Sequence, residues 1–364
     1  MKIAILVRSL YPPRGAEESM KSLKKNLESD HTVHMFGFVN SKMDDADIPQ
    51  NTIVKETPHF STSPFPLEAF NFLTEDYRMA FRFKNEVQDF NPDVILAQHE
   101  LIYLAFWMKY KHDTPIAFFI RDMTNLGTPD YDDRVFANFF KYIESKIRWR
   151  INRIVYNSAD TIIANSHYSA NMYSERYENI APFIIYPFVD TDEYMTQCSG
   201  EKILHIIPQM NKGIDITLKI AKKLPSEEFL IVGHCDSPEI KSWMERLPNV
   251  DYVGYLDNMR EAYSETKLVL QPSRWEEAFG RIPIEAGVSG IPTLCSGTGG
   301  SAEAVGYHEF TVESNDPSDY VKRINRIFED YDKYSTIAEE NAQNKSESEQ
   351  LQKARKILSS EFGI

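Results

Sequence analysis

Short runs of apolar and β-branched residues recur along the chain, and stretches with helical spacing separate them. We predict buried strands at Ile3–Val7, Asp93–Ala97, Ile116–Ile120, Thr161–Ala164, Ile203–Ile207, Phe229–Val232, Leu268–Leu270 and Ile291–Leu294. Helices predicted between them include Glu17–Leu27, Ile214–Leu224 and Met259–Thr266. Buried strands that alternate with helices indicate parallel sheets covered on both faces. The pattern therefore predicts an α/β protein.

The alternation weakens over residues 186–202, where Pro187, several acidic residues and Ser199-Gly200 precede a new strand. This stretch predicts a boundary, and 364 residues suffice for two domains of ordinary size. We place the domains at 1–190 and 191–345, followed by a C-terminal helix at 346–364 that packs back on the first domain. Each domain would be a doubly wound sheet with ligands at the carboxyl ends of its strands, and the two would face a cleft.

Charge and composition exclude several classes of protein. The chain carries 40 Lys and Arg residues against 54 Asp and Glu residues, and a formal net charge of −14 disfavours binding to nucleic acid. The apolar run at the start ends at Arg8, which is too early for a signal peptide or a membrane span, so we expect a cytoplasmic protein. Three scattered cysteines, Cys198, Cys235 and Cys295, indicate packing residues and neither a disulfide framework nor a zinc site.

The segment RWEEAFGRIPIEAG, residues 274–287, places two acidic residues within a largely apolar stretch. Pro283 lacks the amide donor that an interior helical turn requires and fits best at a first helical position. We therefore predict a loop that carries Glu277, then a short helix from about Pro283 with Glu285 in its first turn. Both carboxylates would then face one polar ligand. A solvated Glu277 and a Glu285 that caps the helix are the alternatives.

Three further turns follow predicted strands and lead into helices. They contain Gly15 in LYPPRGAEE, Lys212 in PQMNKG and Gly299-Gly300 in IPTLCSGTGGSA. Glycine lets the backbone approach a ligand, and a helix start presents amides to an anion. Lys212 would add charge to a diphosphate site, whereas an exposed lysine at an ordinary turn is the alternative. The G-x-G-x-x-A pattern at 297–302 imitates a dinucleotide fingerprint, but the helix after it is too short for one.

A fourth candidate lies in FFIRD, where a buried strand delivers Arg121 and Asp122 to its carboxyl end. Ligands of doubly wound sheets bind at such ends, which favours a functional role. An ion pair between the two neighbours, or a loop cap, would explain them without one.

Together these segments resemble the retaining family-4 glycosyltransferases of the GT-B fold. The similarity covers most of the chain, in the order YPPRGAEES, ADTIIANSHYSANMY, YPFVDTDEY, PQMNKGIDI, FLIVG, VGYLDNMREAYSETKLVLQPS and EEAFGRIPIEAGVSGIPTLCSGTGG. Glu277 and Glu285 match the E-x7-E signature of that family. The resemblance implies two Rossmann-like domains, of which the first binds the acceptor and the second binds a nucleotide sugar.

The resemblance also implies roles for individual residues of the donor site. Glu285 would hold the ribose hydroxyls, and a carboxylate suits this role because it accepts hydrogen bonds from two vicinal hydroxyls. The donor sugar would be held by Glu277 and the backbone of Ala278, Phe279 and Gly280. The nucleotide site would further include Lys212 for the diphosphate, Tyr255, Arg281, Thr298, Gly299 and Gly300.

On the acceptor side, the resemblance implies an acceptor or phosphate loop of Gly15, Arg121 and Asp122. Catalytic residues by the same comparison are Lys212, Glu277 and Arg121. The family mechanism is a front-face substitution with retention, in which the leaving phosphate oxygen helps to deprotonate the acceptor. Because a fixed cation and amides would stabilise the diphosphate, we expect no metal and no cofactor beyond the nucleotide-sugar co-substrate.

Two positions depart from the family pattern. Ile206 stands where many relatives carry an arginine, six residues before Lys212, and Arg274 or Arg281 would have to supply the missing charge. Arg121 stands where many relatives carry a histidine, and arginine would bind a phosphate or an acidic acceptor there without acting as a base.

Two aromatic-rich regions admit a functional and a structural interpretation. The aromatic residues of the range 60–83 would stack on an acceptor sugar or contact a lipid tail, or they would fill the core. They are Phe60, Phe65, Phe70, Phe72, Tyr77, Phe81 and Phe83. Residues 139–153 are basic, with interleaved aromatics, as in a helix that lies on an anionic membrane, but they also fit an ordinary packed helix.

Three function classes follow. A hexosyltransferase would move a sugar from a UDP or GDP sugar to a growing glycan, a glycolipid or a small metabolite. A GT-B phosphorylase or epimerase would turn over its substrate without an acceptor alcohol. A catalytically silent protein would bind the nucleotide sugar and transfer nothing.

Overall fold

The computed structural model describes residues 1–11, 15–39, 50–57, 75–123, 136–177, 180–197 and 200–364, with side chains from residue 143 onward in the fifth range. The chain divides into two compact units. Unit 1 comprises Met1–Phe188 together with Leu351–Ile364, and unit 2 comprises Val189–Gln350.

Unit 1 is built on a parallel sheet. Its strands are β1 (Lys2–Tyr11), β2 (Thr32–Val39), β3 (Thr52–Glu56), β4 (Val94–Gln98), β5 (Ile116–Ile120), β6 (Thr161–Ala164) and β7 (Phe183–Ile184). They lie in the order β3-β2-β1-β4-β5-β6-β7, and each pairs in parallel with its neighbour. Its helices are α1 (Gly15–Leu27), α2 (75–80), α3 (Lys84–Phe90), α4 (Ile102–His112), α5 (Phe136–Asn157) and α6 (His167–Tyr177).

Strand β1, in the interior of the sheet, shows why both faces of this sheet are covered. Ile3, Ile5 and Val7 pack into one hydrophobic cluster, whereas Ala4 and Leu6 pack into another. Successive side chains of a strand point to opposite faces, so a continuous apolar run requires a core on each side.

Unit 2 repeats this architecture on a smaller sheet. Its strands are β8 (Lys202–Ile206), β9 (Phe229–Val232), β10 (Val250–Gly254), β11 (Thr266–Gln271) and β12 (Thr293–Cys295), in the parallel order β10-β9-β8-β11-β12. Its helices are α7 (Thr191–Tyr194), α8 (Ile214–Lys223), α9 (Pro238–Glu245), α10 (Met259–Ser264), α11 (Ile282–Gly287), α12 (Ser301–Val305), α13 (Pro317–Glu329) and α14 (Tyr331–Gln343). Both units are Rossmann-like, which confirms the predicted α/β class.

The last helix, α15 (Glu347–Phe362), ends in unit 1. Ala354 and Leu358 are fully buried in the cluster that contains Ile5. Arg355 donates to the Asn26 side chain at 2.5 Å and to the Asp30 carboxylate at 2.6 Å, at the end of α1 and just after it. The end of the chain is thus part of the unit 1 core.

Several strands and boundaries differ from the sequence interpretation. Four strands were not among the predicted ones: β2, β3, β7 and β10. His34 and Gly37 interrupt the apolar run of β2, and β3 is only half-buried. β7 has only two residues, and the residues of β10 alternate between half-buried and exposed. Gly37 lets β2 approach β1, since a Cβ atom there would lie 2.8 Å from the Leu10 side chain. The predicted helix Met259–Thr266 is too long: it ends at Ser264, and Thr266 begins β11.

The predicted strand Ile291–Leu294 begins too early. Gly290 has a φ of 68°, which only glycine adopts readily, and it turns the chain before Pro292. β12 therefore starts at Thr293.

The aromatic region 60–83 falls partly outside the described residues, which exclude Phe60, Phe65, Phe70 and Phe72. Phe83 is fully buried in the unit 1 core, and Tyr77 and Phe81 pack against that core.

Cys235 and Cys295 are free and buried, and burial raises the pKa of the Cys295 thiol to about 11. Cys198 lies outside the described residues. Within the described ranges, no helix combines the length and apolar character that a membrane crossing requires.

Candidate active site

The unit 2 site lies at the carboxyl ends of β8, β11 and β12. A short 3-10 turn, Met210–Lys212, follows β8, and Gly213 ends it with a φ of 78°. A Cβ atom at Gly213 would lie 1.9 Å from the Pro272 carbonyl oxygen, so only glycine lets this turn pack on the loop after β11. The turn directs the Lys212 ammonium to the Glu277 carboxylate, with which it forms a largely buried ion pair.

A second loop, after β12, lies directly against Glu277. Gly300 donates its amide to the Glu277 carbonyl at 2.7 Å, and Glu277 and Gly299 form an isolated parallel bridge. A Cβ atom at Gly299 would lie 2.5 Å from the Glu277 carbonyl oxygen, and one at Gly300 would lie 2.2 Å from that of Ala278. Two glycines therefore hold the loop 297–300 in register with the segment that carries Glu277.

Glu285 occupies the first turn of α11, as predicted from Pro283. Its carboxylate accepts a hydrogen bond from the Tyr263 hydroxyl at 3.2 Å and lies 3.3 Å from Arg281 Nε. Burial raises the pKa of Glu285 above its ordinary value, against the opposing effects of Arg281 and Tyr263. Arg281 and Tyr263 thus offset part, but not all, of the free-energy cost of burying the negative charge of Glu285.

The two arginines considered as replacements for the missing family arginine differ in their surroundings. Arg274 donates to both oxygens of Asp215, at 2.6 and 3.0 Å, and to the Met210 carbonyl. Its guanidinium therefore holds the start of α8 against the loop after β11. Arg281 lies beside Glu285 and inside the candidate site.

Tyr255 directly follows β10, and its side chain is 74% exposed. Thr298 lies in the loop after β12, where its amide approaches the Ser296 hydroxyl at 3.4 Å. Phe279 is buried, while Ala278 and Gly280 are half-buried. The backbone groups of Ala278, Phe279 and Gly280 follow Glu277 directly in the chain.

In unit 1, the residues predicted at strand ends have distinct environments. Gly15 begins α1, while Pro12–Arg14 lie outside the described residues. The Arg121 side chain is buried, with its guanidinium carbon 5.2 Å from the Phe119 ring centre and 5.4 Å from that of Phe188. Asp122, by contrast, keeps 42% of its side chain exposed.

Sequence analysis missed His99, which directly follows β4. Its ring Nδ1 lies 3.2 Å from the Asp122 carboxylate, and its Nε2 lies 3.7 Å from the buried Glu17 carboxylate of α1. His99 has a φ of 52°, uncommon for a residue other than glycine. The signal that would have found it is the one used for Arg121: a polar side chain at the end of a buried strand.

The electrostatic surroundings of His99 favour its charged form. Burial alone would lower the pKa of His99, but the hydrogen bond to Asp122 and the charges of Asp122, Glu17 and Glu100 raise it above its ordinary value. Glu100 in turn lies 3.5 Å from Arg8 of β1. His99 thus links α1, β4 and the end of β5 through charged contacts.

Family comparisons match both units. The model of the family described as "Glycosyl transferases group 1" matches residues 203–345, and that described as "Glycosyltransferase Family 4" matches residues 13–193. This chain is a GT-B glycosyltransferase. Among curated proteins, it is 22% identical over 331 residues to an uncharacterised 42.6 kDa protein in the cps region of Klebsiella pneumoniae, covering 82% of this chain and 86% of that one.

Solved structures share the fold of this glycosyltransferase. HepE of Anabaena, in complex with UDP-glucose, has a TM-score of 0.72 at 20% identity, covering 99% of this chain and 100% of HepE. Sucrose-phosphate synthase of Thermosynechococcus elongatus has a TM-score of 0.78 at 16% identity, covering 100% and 99%. A UDP-GlcNAc 2-epimerase of Neisseria meningitidis has a TM-score of 0.62 at 15% identity, covering 99% and 100%.

Proposed function

We propose that this glycosyltransferase is a retaining enzyme that transfers a hexose from a nucleotide-diphosphate sugar to a hydroxyl acceptor. UDP and GDP sugars are the proposed donors, and a growing glycan, a glycolipid or a small metabolite is the proposed acceptor. The proposal depends mainly on one observation: the Lys212–Glu277 ion pair held against the glycine loop 297–300.

In the proposed reaction, Lys212 binds the diphosphate. The bond between the anomeric carbon and the phosphate oxygen breaks, and negative charge develops on the leaving diphosphate. A fixed ammonium with the backbone amides of Thr298 and Gly299 would stabilise that charge without reorganisation, while the Gly300 amide holds the Glu277 segment in place. In the metal-independent mechanism that we propose, Lys212 and the amides of Thr298 and Gly299 stabilise the leaving diphosphate.

The acceptor oxygen then attacks the same face of the sugar that the diphosphate leaves, and its proton passes to the leaving phosphate oxygen. Glu277 acts in this scheme as a positioning group that accepts hydrogen bonds from the donor sugar hydroxyls, together with the backbone of residues 278–280. No protein nucleophile takes part, so retention follows from the geometry of attack.

Glu285 is the proposed ribose ligand. Its carboxylate is fixed by Tyr263 and Arg281, which leaves it able to accept further hydrogen bonds from vicinal hydroxyls. Arg281 is the better-placed substitute for the missing family arginine, because Arg274 is bonded to both oxygens of Asp215. We propose Tyr255 as a contact of the nucleobase because it is an exposed aromatic ring at a strand end.

On the acceptor side, we propose that Asp122 contacts the acceptor hydroxyl. It is exposed, and the ring of His99 orients it. Arg121, buried between Phe119 and Phe188, would act from the inner side of the same loop, and Gly15 begins the helix that carries Glu17. The exposed Asp122 carboxylate can accept hydrogen bonds from hydroxyl groups, whereas the Arg121 side chain is buried. This arrangement therefore favours a polyhydroxyl acceptor over an acidic acceptor that Arg121 would bind directly.

HepE, bound to UDP-glucose, supports UDP as the first nucleotide to test. We would measure the unfolding temperature with UDP, GDP, ADP and dTDP sugars. A ligand at about 100 times its Kd stabilises the folded state by about 2.7 kcal/mol, which such a screen detects. The proposed donor raises the unfolding temperature, and no shift with any of these sugars would contradict the proposal.

The donor found in this way is then used with Glu277→Gln, and with Glu276→Gln as the matched control, since Glu276 is its exposed neighbour. We expect Glu277→Gln to reduce turnover on the order of 100-fold and the control to leave it unchanged. Anomeric analysis of the product tests retention, and activity after chelation tests metal independence. A product of inverted configuration would rule out the front-face mechanism.

The GT-B likeness to a UDP-GlcNAc 2-epimerase makes epimerisation, or phosphorolysis, the second candidate. Either would show turnover of the nucleotide sugar without an acceptor alcohol. Binding without any turnover would instead indicate a catalytically silent protein. Both family matches are to glycosyltransferases, which favours transfer.

A further inference from the structure

Strand β11 is apolar and buried up to its last residue, which is a glutamine. Residues 268–270 are fully or nearly fully buried, and Gln271 follows them with only 7% of its surface exposed. Because successive side chains of a strand alternate between the two faces of a sheet, Gln271 lies on the same face as Val269. Val269 belongs to the hydrophobic cluster that includes Ala286 of α11, the helix that carries Glu285. The glutamine thus stands on a face where a residue without polar atoms would fit.

The side-chain amide of Gln271 is incompletely hydrogen-bonded. Its oxygen, Oε1, is buried and has no hydrogen-bond partner within the described part of the chain. A buried acceptor without a partner destabilises the folded state. The backbone of Gln271, by contrast, is fixed by the sheet: it pairs with Cys295 of β12, and its carbonyl accepts a hydrogen bond from the Ser296 amide at 3.3 Å. The unsatisfied oxygen therefore belongs to a residue in a fixed position.

The amide of Gln271 lies beside the segment that we propose to hold the donor sugar. A Cβ atom at Gly280 would lie 3.9 Å from Gln271 Nε2, and no other heavy atom of the described residues, apart from Gly280 and its chain neighbours, would lie within 4 Å of it. Gly280 has a φ of 91°, which glycine adopts readily. Gly280 and the amide of Gln271 therefore border the same space at the carboxyl end of β11, where ligands of such sheets bind.

The amide offers a hydrogen-bonding function that the Glu277 carboxylate lacks. An ionised carboxylate only accepts hydrogen bonds, whereas an amide donates through Nε2 and accepts through Oε1. A hydroxyl group can also donate and accept. Two neighbouring hydroxyls of a sugar can therefore bond to both atoms of the amide, one as the acceptor and the other as the donor.

We propose that Gln271 is a specificity-determining residue of the donor site that binds two hydroxyls of the hexose. This inference rests on the proposed function and adds to it a sugar contact from β11. Nε2 donates to one hydroxyl oxygen, Oε1 accepts from the neighbouring hydroxyl, and Glu277 accepts from the remaining ones. The bound sugar supplies the partner that Oε1 lacks. A site that bonds a hydroxyl in this way rejects sugars without that hydroxyl.

Calorimetric titration of the full chain with UDP-glucose and with UDP separates the contribution of the sugar from that of the nucleotide. Gln271→Met keeps an unbranched side chain of similar length and removes both amide atoms. We expect this variant to bind UDP as the unaltered protein does, and UDP-glucose about tenfold more weakly. Its unfolding temperature without ligand should rise by about 2–4 °C, because the unsatisfied oxygen is gone. If the nucleotide-sugar screen selects GDP, ADP or dTDP, that nucleotide and its sugar form the pair.

Gln98→Met is the matched control. Gln98 ends β4 of unit 1, is fully buried, and has neither atom of its amide hydrogen-bonded within the described part of the chain. The control should also raise the unfolding temperature, but it should leave the affinity for UDP-glucose unchanged.

A series of UDP-monodeoxyglucoses gives a second readout, which a purely structural role of the amide would not change. Removal of a hydroxyl that Gln271 binds should weaken binding to the unaltered protein and have no effect on binding to Gln271→Met.

Two results would overturn the inference while leaving the proposed function intact. The first is that Gln271→Met binds UDP-glucose as tightly as the unaltered protein does. The second is that it weakens the binding of UDP and of UDP-glucose equally, which would show that the amide has a structural role only. If no nucleotide sugar binds to the unaltered protein, the proposed function fails together with this inference.

Discussion

The substitution Gly300→Ala tests whether the contact between the two loops of unit 2 controls the candidate site. The φ of Gly300 is −79°, so alanine meets no backbone strain of its own. Its Cβ atom, however, would lie 2.2 Å from the Ala278 carbonyl oxygen and 3.0 Å from Phe279 Cα. Since both partners belong to the backbone, the two loops must separate by about 1 Å to restore an ordinary contact.

That separation has a calculable effect. The 2.7 Å hydrogen bond from Gly300 to the Glu277 carbonyl would stretch beyond bonding distance. Overpacking and a lost hydrogen bond together destabilise unit 2 by about 2–4 kcal/mol. For a unit of this size, we expect the unfolding temperature to fall by about 5–15 °C. A 1 Å displacement of the Glu277 segment should lower turnover roughly 100-fold.

The assay combines differential scanning calorimetry with turnover of the donor found by the nucleotide-sugar screen. Ala302→Ser serves as the control, because Ala302 is exposed on α12 two residues away. The reasoning is refuted if Gly300→Ala turns over the donor at the rate of the unaltered protein while its unfolding temperature is lowered.

Three further predictions follow from charged groups. Glu285→Gln removes a buried carboxylate whose pKa is raised, so the folded protein loses stability as the pH rises through that pKa. At pH 8 we expect chemical denaturation to show that the variant is at least as stable as the unaltered protein, and lower stability would contradict this. Calorimetry should show that the affinity of the variant for the donor is reduced about 10- to 100-fold. The raised pKa of His99 adds stability to the folded state below about pH 6.5, and this stability is lost as the pH rises through the pKa of the folded state. Because asparagine tolerates the positive φ of this position, we expect the stability of His99→Asn, measured by denaturation, to vary less with pH above about 6.5. An unchanged pH dependence would refute a charged His99. Arg274→Ala should destabilise unit 2 by about 1–2 kcal/mol in urea unfolding, because Lys219 is then the only cation that contacts Asp215 among the described residues. Exposed Arg246→Ala is the control, and a loss of stability no larger than that of the control would show that the contact between Arg274 and Asp215 is weak.

The sequence allowed accurate prediction where local chemistry decides the structure. Pro283 restricts helix formation strongly enough that the start of α11, and the place of Glu285 in its first turn, followed from residue types alone. The same holds for β5, whose five apolar residues are fully or nearly fully buried. The prediction of a helix over Met259–Thr266 was wrong at its end, where Thr266 pairs with Lys202 in the sheet despite the helical spacing of the apolar residues.

The parts that sequence reasoning missed depend on contacts between distant residues. His99 is defined by Glu17 and Asp122, which come from an earlier helix and a later strand end. Arg274 was one of two arginines proposed to supply the missing phosphate-binding charge, yet its surroundings are determined by Asp215, 59 residues earlier. A single chain read in order contains no direct sign of such partners.

The packing of α15 has a consequence for biosynthesis. Because Leu351–Ile364 belongs to unit 1, unit 2 is an insertion between two segments of one folding unit. On the ribosome, unit 2 can complete its sheet as soon as residues 189–350 have emerged, whereas unit 1 waits for Ala354 and Leu358 to complete the hydrophobic cluster that contains Ile5. The half of the protein that is synthesised first therefore finishes folding last, and a nascent chain stalled before residue 351 would leave this cluster of unit 1 without Ala354 and Leu358 and accessible to chaperones.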